Sequence, residues 1–112
     1  MDMTRDPVDF LPGTLETLVL KTLAGGPKHG YAVARWIEDA TDQALAVEEG
    51  SLYPALYRME KRGWIDAEWG TSDLGRRVKL YRLTPAGRRQ LAGDAQAWAA
   101  FAAAVNKVMV KA

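Results

Sequence analysis

Apolar residues recur at helical spacing in two early segments of the chain. The first segment predicts a helix over about 14–23, capped by Thr14, whose inward stripe is Leu15, Leu18, Val19 and Leu23. The glycines and proline at 25–27 end it. A second helix is predicted over about 29–41, with a core stripe of Tyr31, Ala34 and Ile37, and the mildly apolar stretch 43–47 is predicted to be extended.

A third helix is predicted over about 51–62. Ser51 can cap this helix, which puts Pro54 in the first turn, where the backbone amides have no intrahelical partner. Its inward stripe is Leu52, Leu56 and Met59, and Gly63 follows as the left-handed residue expected just past a helix end. The preceding carboxylates, Glu48 and Glu49, are expected to complement the helix dipole and to point away from DNA.

The hydrophobic period changes after this helix from helical to alternating. Apolar and charged residues alternate over 65–69, IDAEW, which predicts a half-buried strand. A turn-rich tip follows at 70–75 and a second strand is predicted at 78–84, so that the pair forms a β-hairpin. Thr84 and Pro85 then provide the cap and the first position of a last helix.

The last helix carries a heptad-like stripe. Its members follow one another by alternating steps of four and three residues: Leu91, Ala95, Trp98, Ala102, Val105, Met109 and Ala112. Phe101 and Val108 widen the strip. Because a strip this wide is unfavourable in water, it predicts a dimer interface. The alternative is that the helix folds back on its own domain.

The order of these elements predicts a mainly α protein with a small β-hairpin, namely a winged helix-turn-helix with a C-terminal dimerisation helix. The chain is divided accordingly into an N-terminal arm at 1–12, a winged helix-turn-helix domain at 13–84 and a dimerisation helix at 85–112. A length of 112 residues fits one domain with this extension.

Cysteine is absent and histidine occurs once, at His29, which limits the chemistry available to the chain. No disulfide, thiolate zinc site or thiol nucleophile can form, and no metal site is predicted. Because no catalytic constellation or phosphate-binding glycine loop is found, we expect neither an enzyme nor a cofactor. The N-terminus lacks the layout of a signal peptide and no apolar run could span a membrane, which predicts a cytoplasmic protein without membrane contact.

The net charge is +1, but positive charge is concentrated in the last third of the chain. Residues 1–75 contain seven Lys and Arg and thirteen Asp and Glu, whereas residues 76–112 contain eight and one. Such a basic segment is typical of surfaces that bind phosphate backbones, although a solvated face would have the same composition.

The third helix and the hairpin carry the residues expected to bind double-stranded DNA. Arginine can bind guanine, and hydroxyls can reach phosphates or bases. The predicted contacts of the helix are Ser51, Tyr53, Ala55, Tyr57, Arg58 and Arg62. Cations of the hairpin are expected to neutralise phosphates, and they are Arg76, Arg77 and Lys79. The alternative is a winged-helix module that binds another protein without specific DNA binding.

Three strings in order, HGY at 29–31, GSLYPAL at 50–56 and YRLTPAGR at 81–88, resemble the PadR family of bacterial transcriptional regulators, in its smaller branch with one C-terminal helix. The resemblance extends from about residue 11 to about residue 98. It implies a homodimeric repressor in which Tyr53 contacts DNA and the terminal helix pairs with the help of the first helix. The expected dimer residues are Leu15, Leu18, Leu91, Ala95, Trp98, Phe101, Ala102, Val105 and Met109.

The same resemblance implies that a small molecule could regulate the protein. Some members of the family bind aromatic or cationic compounds between the terminal helices through a tryptophan, and Trp98 lies in a similar place. Packing in the dimer seam explains Trp98 as well. The sequence thus predicts a dimeric repressor that reads a pseudo-palindromic operator with helix 51–62 and wing 65–84, and that a small-molecule effector could relieve.

Overall fold

The computed structural model describes residues 13–111 as four helices and a three-stranded sheet. In chain order the elements are α1 (Thr14–Ala24), β1 (Lys28–His29), α2 (Gly30–Ala40), α3 (Glu49–Lys61), β2 (Ile65–Thr71), β3 (Arg77–Leu83) and α4 (Pro85–Met109). The mainly helical architecture with a hairpin before the last helix is confirmed. The predicted arm 1–12 and Ala112 lie outside the described residues.

The core lies between the first three helices and the sheet. Its fully buried side chains come from α1, α2, α3 and β2, and the largest are Leu20, Leu23, Ile37, Leu52, Leu56, Met59 and Ile65. Burial of each such side chain stabilises the fold by about 1.5–3 kcal/mol. The inward stripe predicted for the third helix is therefore confirmed.

The start of α3 differs from the prediction. The helix begins at Glu49, and its N-cap, Glu48, makes no side-chain capping hydrogen bond. The prediction that Ser51 caps the helix is therefore wrong, because Ser51 is its third residue. Pro54 consequently lies in the second turn, where its ring removes the hydrogen bond that an amide would donate to the carbonyl of Gly50. Glu49 lies in the first turn rather than before it, where a carboxylate still complements the dipole.

The sheet has the order β1-β3-β2 and is antiparallel throughout. β1 is not predicted by the sequence pattern because two residues are too short to show a period. It pairs Lys28 with Tyr81, and the Nδ1–H of His29 donates to the carbonyl oxygen of Lys79 at 3.0 Å. These contacts fix the beginning of α2 to the middle of the hairpin.

The hairpin formed by β2, β3 and the turn between them, residues 65–83, is called the wing below. Its register pairs Trp69 with Lys79 and Thr71 with Arg77. The amide of Ser72 donates to the carbonyl of Arg76 at 2.8 Å, and Gly75 has the positive φ of 77° that this tight turn requires. The predicted hairpin is confirmed.

Two predictions for α2 and the loop after it are wrong. Tyr31 is 57% exposed instead of buried, since it lies on the outer side of the first turn and stacks on His29 with 6.1 Å between the ring centres. The stretch 43–47 is not a strand. Asp42 and Gln43 have positive φ angles, so the chain turns sharply there.

The predicted start of α4 is confirmed. The Thr84 hydroxyl accepts a hydrogen bond from the amide of Gly87 at 3.0 Å, and Pro85 occupies the first helical position. The early part of the helix packs on α1, where Leu91 is partly buried against the core. From residue 95 to residue 111 every side chain except Ala102 is exposed in the single chain.

Candidate nucleic-acid interface

The buried side of α3 decides which of its residues can face a duplex. Ala55 is 0% exposed and belongs to the core, so the prediction that Ala55 contacts DNA is wrong. Helical spacing then makes the middle of the exposed side the line of Pro54, Tyr57 and Lys61. Tyr57 is 60% exposed, and the Nζ of Lys61 lies 5.2 Å from the centre of its ring.

Lys61 was missed by the sequence analysis. The predicted face was counted from Ser51 in steps of four and three residues, and that line follows the edge of the core instead of the outermost side. The spacing of four residues between Tyr57 and Lys61 is the signal that could have found it.

Arg58 and Arg62 lie on the flank of α3 that faces α1. The Nη2 of Arg58 donates to the Oε1 of Glu16 at 2.8 Å, and the Arg58 side chain is half exposed. The guanidinium of Arg62 lies 5.1 Å from the ring centre of Trp64. Both arginines therefore have intramolecular partners that compete with a duplex, unlike Ser51, which is exposed near the start of the helix.

Tyr53 lies on the opposite flank, towards α2 and the sheet. Its ring packs against Gly30 at the start of α2, where an added Cβ would come within 2.8 Å of the ring. Burial raises the pKa of the Tyr53 phenol, and the carboxylate of Glu49 raises it further. The phenol of Tyr81 also has a raised pKa, because of burial first and then of Glu60 and Tyr53. The hydroxyl of Tyr53 therefore remains neutral and can both donate and accept a hydrogen bond.

The wing exposes its cations unevenly. Arg76 and Arg77 are exposed, and Lys79 is partly exposed. The Nζ of Lys79 lies 3.6 Å from the Oε1 of Glu60 on α3. Arg82 points to the other face of the hairpin, where Asp66 and Glu68 bind its guanidinium at 3.5 Å and 2.9 Å. Two carboxylates outnumber the single cation on that face, so the positive end of the wing consists of the residues near the tip.

An open cleft of about 930 Å³ lies between α1 and α4. Its walls include Leu18, Leu91, Ala95, Trp98 and Phe101, all from the set predicted for the dimer interface. Trp98 is 52% exposed and Phe101 lies beside it, with 6.2 Å between the ring centres.

One predicted dimer residue has to be removed from that set. Leu15 is only 7% exposed and belongs to the core of its own chain. Between the two helices, the hydroxyl of Thr17 donates to the Oδ2 of Asp94 at 2.8 Å and holds the early part of α4 on α1. Within α4, the side-chain amide of Gln90 donates to the Oδ1 of the same carboxylate and orients it.

Within residues 13–111, no cluster of three or more His, Asp or Glu is arranged to hold a metal ion. The helices of this part of the chain are all too short or too polar to cross a membrane.

Comparison with known proteins identifies the family. The transcriptional regulator PadR-like family matches residues 19–93, which is most of the chain. The chain belongs to the PadR family. It is therefore a transcriptional regulator with a winged-helix fold, as the three strings predict. Members of this family are regulators and not enzymes.

Similar proteins cover almost the same length. A transcriptional regulator of Mycobacterium tuberculosis is 32% identical over 90 residues, which are 80% of this chain and 79% of that protein. A transcriptional regulator from Clostridium thermocellum has a TM-score of 0.79 and 31% identity, covering 88% of this chain and 95% of its own. A PadR-like transcriptional regulator from Bacillus cereus has a TM-score of 0.76 and 30% identity, covering 89% and 95%.

Proposed function

We propose that this PadR-family regulator binds double-stranded DNA as a homodimer and represses transcription from a pseudo-palindromic operator. In this proposal α3 enters the major groove and the wing lies along the neighbouring backbone. Residues 13–84 are the DNA-binding domain and residues 85–112 the dimerisation helix, preceded by the arm 1–12. The protein acts on DNA in the cytoplasm.

The observation that carries the proposal is the ion pair between Lys79 of the wing and Glu60 of α3, at 3.6 Å. It fixes the wing beside the flank of α3 on which Tyr53 lies, so a duplex that contacts one element reaches the other. Phosphate contacts give affinity, whereas contacts with base edges give sequence preference. The two elements supply both kinds of side chain.

Each side chain has a proposed role. The hydroxyls of Ser51, Tyr53 and Tyr57 reach phosphates or bases, and Lys61 reaches a phosphate from the outermost side of α3. Arg58 and Arg62 contact the duplex from the flank, after leaving Glu16 and Trp64. The cations that neutralise the backbone at the wing are Arg76, Arg77 and Lys79.

The dimer forms through the apolar face of α4. A helix face with this much exposed apolar surface needs a partner, and a two-fold dimer pairs the same surface of both copies. The proposed seam contains Leu18, Leu91, Ala95, Trp98, Phe101, Ala102, Val105 and Met109. The aromatic cleft between α1 and α4 would also accept a small aromatic or cationic effector that stacks on Trp98.

The decisive experiment measures DNA binding as a function of salt. Genomic fragments of the source organism are selected for binding, and the affinity of the recovered duplex and of an arbitrary duplex is measured by fluorescence anisotropy from about 50 to about 200 mM salt. We expect the affinity for both duplexes to fall steeply with salt, and the selected duplex to bind more tightly by a factor of about 10³ or more.

A charge-matched pair of variants tests the wing. Arg76→Ala combined with Arg77→Ala should weaken binding to both duplexes alike. The slope of log affinity against log salt should become shallower by about 1 for each phosphate contact that is lost. Lys107→Ala combined with Lys111→Ala removes the same charge at the C-terminal end of α4, about 30 Å from the first turn of that helix, and should leave the salt slope unchanged. A wild-type protein that binds neither duplex even at low salt would support the protein-binding module instead.

A further inference from the structure

The wing carries one exposed aromatic side chain that the proposed DNA contacts leave unused. Trp69 is 55% exposed on β2, and its cross-strand partner is Lys79. The guanidinium carbon of Arg77 lies 4.5 Å from the centre of its indole ring, and the Nζ of Lys79 lies 5.4 Å from it. One indole is therefore shared by two of the four cations of the wing.

These three side chains lie on the face of the hairpin that is directed towards α3. Strand alternation places Trp69, Arg77 and Lys79 on the same face as Tyr81. Tyr81 is buried in the core, and Lys79 pairs with Glu60 of α3. The indole consequently lies where the wing meets the helix proposed to enter the major groove.

The two faces of the wing hold arginine by different means. On the other face, the carboxylates of Asp66 and Glu68 bind Arg82 and more than cancel its charge, whereas on the Trp69 face Glu60 pairs with Lys79 and the indole contacts Arg77. An indole has no net charge, so its face can hold Arg77 in place while the positive charge of the guanidinium remains available to a phosphate. Ordering a long side chain before binding also removes part of the entropy cost that complex formation would otherwise carry.

We propose that Trp69 is a positioning residue of the DNA-binding surface: its indole holds Arg77 and Lys79 in the orientation in which they meet the phosphates of the duplex. This inference rests on the proposed DNA binding. Trp69 acts through the two cations, so its removal matters only while they are present.

A double-mutant cycle tests this dependence, with the full chain, an arbitrary duplex and about 50 mM salt. We expect Trp69→Leu to weaken binding about three- to tenfold, the scale of one or two exposed cation–π contacts. In the background of Arg77→Ala and Lys79→Ala the same change should cost less than about twofold. Trp69→Phe, which keeps an aromatic face, should recover most of the affinity.

Control measurements separate positioning from folding. Trp36→Leu changes a similarly exposed tryptophan on α2 and should leave the affinity within about twofold of the wild type. Thermal unfolding is recorded for every variant. In addition, NMR should detect a ring-current shift of the Arg77 δ-methylene protons in the free wild-type protein that disappears in Trp69→Leu.

The outcomes distinguish a failure of the positioning role of Trp69 from a failure of the proposed DNA binding on which it rests. Equal losses on Trp69→Leu in both backgrounds, or no ring-current shift in the free protein, would overturn the positioning role while DNA binding stands. A wild-type protein without affinity for DNA would overturn both. A smaller loss in the cation-free background, with recovery by Trp69→Phe, would support the inference.

Discussion

The ring of Tyr53 occupies the space that a side chain on Gly30 would need, since a Cβ there would come within 2.8 Å of the Cε1 of Tyr53. This contact joins two of the strings that mark the family, HGY and GSLYPAL. It positions the phenol of α3 against the first turn of α2. Gly30 is thus required because the ring of Tyr53 leaves no room for a side chain, and not because its own backbone has a conformation that favours glycine.

Gly30→Ala should therefore displace Tyr53. Because the ring is the end of a partly exposed side chain, it can move outwards, so we expect a loss of only about 1 kcal/mol in the free energy of unfolding. Binding to the selected duplex should weaken by about 1–3 kcal/mol, the cost of losing one specific contact. Denaturant titration and fluorescence anisotropy measure the two effects.

The matching control is Tyr53→Ala, alone and combined with Gly30→Ala. If Gly30 acts by positioning the ring, the double variant should bind DNA no more weakly than Tyr53→Ala alone. Additive losses in affinity would contradict this explanation and point to an independent role of the first turn of α2.

Gly87 makes a similar close approach, but its neighbour cannot move away. A Cβ on Gly87 would overlap with the carbonyl oxygen of Trp64, and that carbonyl also accepts a hydrogen bond from the amide of Thr84. Gly87→Ala should lower the free energy of unfolding by about 2–3 kcal/mol because backbone would have to shift. Gly93→Ala, on the same helix in open space, should raise it by about 1 kcal/mol. Similar stability of both variants in denaturant titration would show that the start of α4 tolerates displacement.

The ion pair between Arg58 and Glu16 is predicted to compete with DNA. Glu16→Gln removes the carboxylate that binds the guanidinium at 2.8 Å, so the affinity for an arbitrary duplex should rise about threefold, with a steeper salt slope. The free energy of unfolding should change by only about 1 kcal/mol, because solvent reaches the half-exposed Arg58 and screens the pair although Glu16 is only 17% exposed. Anisotropy titrations measure the affinity. Asp39→Asn, which removes a carboxylate on α2, should give a smaller gain.

The role of Arg58 is tested by repeating the Glu16→Gln measurement in a variant that lacks the arginine. If the gain in affinity comes from the freed guanidinium, Glu16→Gln should have little effect in an Arg58→Ala background. A gain that persists there would mean that the lost negative charge, and not Arg58, is responsible.

The elements that the sequence predicts well are those with a long period or strong end signals. The stripe of Leu52, Leu56 and Met59, the alternation in β2 and the Thr84-Pro85 cap each combine several residues that favour the same structure. Gly30 and Gly87 lie in two of the family strings, and each is required by a close steric contact in this structure.

The misassigned residues have environments that depend on tertiary packing. Alanine fits either side of a helix, so Ala55 could be assigned to the core only once α1 was known to cover that flank. Tyr31 has the spacing of a core residue, yet the sheet leaves the outer side of the first turn of α2 open to solvent. The contacts of Trp69 with Arg77 and Lys79 depend on the strand register, which the sequence did not determine.

The last prediction concerns the proposed dimer seam. Trp98→Glu introduces a charge into the centre of the apolar face of α4, where it would have no partner in the dimer. Burial of an uncompensated charge should weaken association by about 3 kcal/mol or more, so that the variant sediments as a monomer. Ala100→Glu adds the same charge at an exposed position on the opposite side of the helix and should remain dimeric. Because a monomer presents only one α3 and one wing, Trp98→Glu should also lose affinity for the selected duplex. A Trp98→Glu protein that still sediments as a dimer would place the interface elsewhere on the molecule.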